Sequence, residues 1–72
     1  MSHDINILDT VAVLCDMPED CVLRGQVGTV VERLAQGMYE VEFSDDQGRT
    51  YAQCPIRGDQ MIVLRYQPEQ AA

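Results

Sequence analysis

Between Ile7 and Tyr66 the apolar positions recur at a period close to two, and turn-forming residues break the pattern every eight to twelve positions. Side chains alternate faces along a β-strand, so this spacing predicts short strands in an all-β barrel or sandwich. The first strand is predicted over Thr10–Leu14, which is rich in β-branched residues. Asp16–Gly25 follows as a long loop, because Pro18 offers no ladder donor and Asp16, Glu19 and Asp20 resist burial. Val22 and Leu23 within it point to a fold-back over one edge of the core. Gln26–Leu34 reads as the second strand and Ala35-Gln36-Gly37 as its turn. The third, Met38–Phe43, alternates most cleanly: Tyr39, Val41 and Phe43 share one face, and Met38, Glu40 and Glu42 the other. Ser44–Gly48 makes a second turn and Arg49–Cys54 returns antiparallel until Pro55 stops it. Ile56–Gln60 has the length of a single 3₁₀ turn, and Met61–Arg65 forms the last strand.

One window admits a helical alternative. Val27, Val30, Val31 and Leu34 fit the i, i+3, i+4, i+7 template, but Gly28 and the β-branched residues around it favour a strand. The expected fold class is therefore all-β: a small five-stranded SH3-like barrel with a long first loop and a 3₁₀ turn before the last strand. Closing the sheet on itself would hide edges that a chain this short could not otherwise cover. The predicted core is Leu8, Val11, Val13, Val27, Val30, Tyr39, Val41, Phe43, Ala52, Ile56, Ile62 and Leu64, within a single domain over residues 1–72. Short loose ends are expected at Met1–Asn6 and Gln67–Ala72.

Charge narrows the choice of partner. Five Arg and no Lys stand against 12 acidic residues in 72, a formal charge of −7. Such a surface repels phosphate, which argues against nucleic acid or an anionic membrane and favours a protein with a basic surface. No apolar run is long enough to span a bilayer, and Met1-Ser2-His3-Asp4 lacks the basic start of a secretion signal. Three cysteines, an odd number without framework spacing, suit a reducing cytoplasm.

Each constellation that could carry chemistry has a plainer reading. Gly25-Gln26-Val27-Gly28-Thr29 resembles a phosphate loop but precedes a strand and lacks a Gly-Lys-Ser/Thr ending, so Gly28 is expected at a bulge or a close-packing point. Cys15, Cys21, Cys54 and His3 lack the paired spacing of a zinc site, and no cofactor is expected. A cysteine nucleophile would need a base, and His3 is the only histidine. Glu40 and Glu42 belong to a solvated strand face, with Arg33, Arg49 or Tyr51 as expected cross-strand neighbours, and Asp45-Asp46 is turn chemistry.

The stretches Asp9–Val13, Asp16-Met17-Pro18, Arg24–Glu32 and Tyr39–Phe43 together resemble a short bacterial domain-of-unknown-function family, number 4926. Its Asp-Leu-Pro-like and Val-Glu-Phe tripeptides correspond here to Asp16-Met17-Pro18 and Val41-Glu42-Phe43. The resemblance spans Ile7 to Leu64 and implies a small bacterial protein without assigning an activity. A looser likeness to SH3-like barrels, including KOW-type modules and a photosystem I acceptor-side subunit, implies a docking role. The basic residues with which KOW modules meet RNA are missing.

The expected function is a non-enzymatic protein–protein interaction module. Candidate contact residues are Asp16, Met17, Pro18, Glu19 and Asp20 of the first loop, Glu40 and Glu42 of the third strand, and Tyr51. The loop has an acidic rim around apolar contacts, which also fits a segment that merely covers one end of the barrel. Two further readings remain: an antitoxin or immunity-type protein masking a basic effector, and an accessory subunit or homodimer joined through Met38, Tyr51 and Val63.

Overall fold

A computed structural model describes residues 5–66 and Pro68. The predicted ends Met1–Asp4, with His3, and Gln67 and Glu69–Ala72 lie outside the described residues. Five antiparallel strands form one sheet: β1 (Thr10–Val13), β2 (Val27–Ala35), β3 (Met38–Ser44), β4 (Thr50–Arg57) and β5 (Met61–Val63), in the order β4-β3-β2-β1-β5. Two short 3₁₀ turns complete the chain, Pro18–Asp20 in the first loop and Gly58–Gln60 before β5. The order and the turns are consistent with a small barrel-like fold.

Closure is the first correction. No hydrogen-bonded ladder joins β4 to β5, so the sheet keeps two edges. Pro55 is the second, because β4 continues through it to Arg57. Met38 opposes Arg57, and the Gly58 N–H donates to the Gly37 carbonyl at 2.9 Å, one step further along that register. Backbone groups alternate sides along a strand, so Cys54 and Ile56 bond towards β3 while the Pro55 nitrogen faces the open edge. A proline there removes no ladder bond.

Two bulges bend β2. Val30 opposes Val41 but Glu32 opposes Glu40, and Arg33 opposes Tyr39 while Ala35 opposes Met38, so Val31 and Leu34 are the extra residues. If Val31 were an ordinary paired residue, strict alternation would put Glu32 on the inward face of Val30. The insertion turns it outward beside Glu40.

The core consists of Val11, Val13, Val22, Val30, Tyr39, Val41, Phe43, Cys54, Ile56 and Met61, with Ile5, Met17, Ala52 and Val63 packed against it. Four expected members, Leu8, Val27, Ile62 and Leu64, lie elsewhere. Leu8 is 74% exposed at a left-handed turn (φ 75°), where its N–H donates to the Val30 carbonyl. Val27 is one residue out of phase with the inward positions Gly28 and Val30 and is 46% exposed. Ile62 opposes Ala12, whereas Met61 and Val63 oppose the buried or inward Val13 and Val11, which leaves Ile62 52% exposed. Leu64 is half-buried, and Ile5 belongs to the packed body rather than to a loose end.

Gly28 is a close-packing point. A Cβ built there would lie 2.7 Å from Val41 Cγ1, 2.8 Å from Phe43 Cδ2 and 2.9 Å from the Glu42 carbonyl oxygen. β2 can pass so near β3 only where the side chain is a hydrogen.

Candidate functional site

The first loop is held from within. The Asp16 carboxylate accepts the Arg24 N–H at 2.9 Å, clamping the loop's two ends, and Met17 and Val22 form a bridge in which each N–H donates to the other's carbonyl. Pro18 opens the 3₁₀ turn, where its fixed φ suits the first helical position, and Cys21 ends it in the left-handed conformation (φ 62°). The loop packs against β4, with Val22 fully buried and Met17 against the core. Of the five loop candidates, Asp16, Met17 and Pro18 thus have evident structural work, while Glu19 and Asp20 stand exposed within the turn.

A second group of acids stands on the outer face of the sheet. Glu40 lies between Glu32 on β2 and Pro55 on β4, and Glu42 lies between Thr29 and Gln53. The expected neighbours Arg33 and Arg49 do not flank them, because the β2 bulges bring Arg33 opposite Tyr39. Glu40 accepts a hydrogen bond from Gln53 Nε2 at 3.2 Å, and Glu32, Glu40 and Glu42 take no part in the Arg57–Asp59 ion pair. Two carboxylates directly opposite each other on adjacent strands repel, so the Glu32–Glu40 pair works against stability. Glu32 escaped the sequence reading because its facing depends on a bulge that strict alternation does not reveal.

Tyr51 occupies a bulge of its own, since Phe43 opposes Ala52 while Ser44 opposes Thr50. Its ring centroid lies 6.3 Å from that of Phe43 at a 46° tilt, so the ring flanks the core aromatic while remaining partly exposed. Val63 packs on the core and is not part of an apolar patch with Met38 and Tyr51.

Arg57 grips Asp59 with two hydrogen bonds, Nε to Oδ1 at 3.0 Å and Nη2 to Oδ2 at 2.7 Å. The hydrogen bond from Arg57 holds the Asp59 carboxyl below the usual carboxylate range. One of the five cations is thereby engaged within its own turn.

All three thiols are free: Cys54 is buried, Cys15 half-buried and Cys21 exposed. Burial pushes the Cys54 thiol up, and the Asp20 and Glu40 carboxylates push it further the same way. A folded pKa above the unfolded value favours folding while the thiol is protonated, and that contribution fades as pH rises through the folded pKa. Stability is therefore expected to decline above about pH 9, near the ordinary thiol range. Cys54→Ala should flatten that decline in urea titrations run pH by pH. Alkylation of the native protein should modify Cys21 first and spare Cys54 until the chain unfolds.

Among the described residues, no group of three or more His, Cys, Asp or Glu side chains is placed to hold a metal ion, and no charged side chain is buried. No helix among them is long and apolar enough to cross a membrane.

An open antiparallel sheet of five strands, curled about one aliphatic–aromatic core and acidic on its outer face, defines a small all-β, barrel-like domain. The chain belongs to the family described as a domain of unknown function, DUF4926, whose model matches residues 7–63. No match was found among curated proteins or among solved structures. Both tripeptides that carry the resemblance have structural roles here. Asp16, Met17 and Pro18 clamp, plug and turn the first loop, and Val41 and Phe43 fill the core while Glu42 faces outward.

Proposed function

We propose that this protein is a cytoplasmic, non-enzymatic interaction module that binds a protein with a basic surface. The observation that carries the reading is the set of outward carboxylates Glu32, Glu40 and Glu42, of which Glu32 and Glu40 stand directly opposite each other across the β2–β3 ladder. Like charges opposed across a ladder weaken the fold unless something of opposite sign meets them. Glu19 and Asp20 on the first loop add to the same negative field, as does the net charge of −7. The free thiols are in keeping with a reducing compartment.

Such a field acts mainly on the rate of encounter and on discrimination against acidic competitors. Glu40→Lys is expected to separate stability from binding. It replaces the Glu32 repulsion with an attraction and should raise stability by up to about 1 kcal/mol. Association with a basic partner recovered from the native host at low salt should slow by about tenfold and lose much of its salt dependence. Stopped-flow or surface-based kinetics alongside a urea titration checks both halves. If no protein is recovered at low salt, or if Glu40→Lys associates as fast as the parent, the reading fails.

A further inference from the structure

Val27, Ala12 and Ile62 stand directly opposite one another across β2, β1 and β5, and all three face away from the core. Side chains opposed in this way have Cβ atoms about 5 Å apart, so the three form one continuous aliphatic row across three strands. Leu14 extends it, because its N–H donates to the Gln60 carbonyl one step along the β1–β5 ladder, and its side chain is exposed. Isolated exposed aliphatics are ordinary, but an aligned row on neighbouring strands is not. No described segment covers it.

The adjacent row supplies the chemistry of what would. Two residues along β2 from Val27 is Thr29, which opposes Thr10 on one side and Glu42 on the other, followed on β4 by Gln53. Two residues along a strand span about 7 Å, so the aliphatic row runs into the Glu42–Glu40–Glu32 acids on a single outer face. An interface of ordinary size covers about 800 Å² per partner, more than four aliphatic side chains present, so a partner seated on the row must also meet the acids.

We infer that the outer face of β2, β1 and β5 docks a protein segment carrying an aliphatic stripe flanked by Lys or Arg. This rests on the acidic-surface reading above and adds where the partner sits and what its apolar half must be. A second copy of this chain would bring −7 against −7, and nucleic acid or an anionic membrane would be repelled by the same acids. A partner with the opposite charge and a matching apolar stripe meets both rows at once.

The test uses the full chain, isotope-labelled, and two synthetic helical peptides, one with leucines on one face and lysines on the other, the second with those leucines replaced by serines. The leucine/lysine peptide should shift the amide resonances of Ala12, Val27, Thr29, Glu42 and Ile62. The serine/lysine peptide should bind at least tenfold more weakly, and Val27→Thr with Ile62→Thr should cost about tenfold, the loss expected for roughly one buried aliphatic side chain. Both replacements keep β-branching at exposed positions, and an unchanged urea midpoint verifies the fold. Equal binding of the two peptides would overturn the aliphatic dock while leaving the acidic-surface reading intact. Binding of neither would remove both. Shifts confined to Pro18–Asp20 would move the site to the first loop and overturn the inference, as would light scattering that shows a dimer abolished by Val27→Thr and Ile62→Thr.

Discussion

Phe43→Ala is expected to remove about 3–5 kcal/mol of stability, the largest loss available from a single truncation in this chain. The ring is fully buried near the C-terminal end of β3, opposite Gly28 on one side and Ala52 on the other, with Tyr51 flanking it. Those neighbours are small or peripheral, so they cannot collapse into the space the ring leaves. A domain of this length typically holds about 4–11 kcal/mol in all, so the variant should be largely unfolded or close to it at room temperature. Urea denaturation followed by circular dichroism measures the loss directly. A change below about 1 kcal/mol would show that the ring does not organise the core.

Gly28→Val comes second. Even the first carbon of a new side chain would meet Val41, Phe43 and the Glu42 carbonyl at under 3 Å, and the carbonyl belongs to the neighbouring strand's backbone. Relief requires β2 and β3 to separate, which loosens the ladder on both sides of Val30. Gly28→Ala should cost about 1–3 kcal/mol and Gly28→Val more. Because one of the clashes is with Phe43, pairing Gly28→Ala with Phe43→Leu should cost less than the sum of the two single changes. Strict additivity in that cycle would mean that the added carbon finds room without displacing the ring.

The same two residues mark what the sequence makes legible. Phe43 could be placed because β3 alternates without interruption, Tyr39, Val41 and Phe43 against Met38, Glu40 and Glu42, and the structure buries that first set. Gly28 could be placed as a close approach because a glycine amid β-branched residues has few other uses in a strand. β2 was harder. Val27, Val30, Val31 and Leu34 imitate helical spacing, and the cause is now visible: two extra residues break the two-residue alternation. Ile62 differs for another reason. Met61-Ile62-Val63-Leu64 is apolar throughout and carries no facing of its own, so only the pairing with β1 decides which side enters the core. The acidic face was half legible, since Glu40 and Glu42 follow from β3 alone but Glu32 joins them through a bulge. The fold-back of Val22 is legible from its apolar character within an acidic loop, but its complete burial depends on the Met17 bridge and on the loop's contact with β4.

Pro55 carries a consequence for how molecules of this kind coexist at high concentration. β4 is eight residues long and lies at the margin of the sheet, the sort of strand on which a foreign chain can stack and seed fibrils. A proline midway along it leaves a missing donor in the row such a chain would have to match. β5, at the opposite margin, is three residues long and too short to template a stack by itself. The fold thus tolerates an unsealed sheet because neither margin offers cross-β growth a usable foothold.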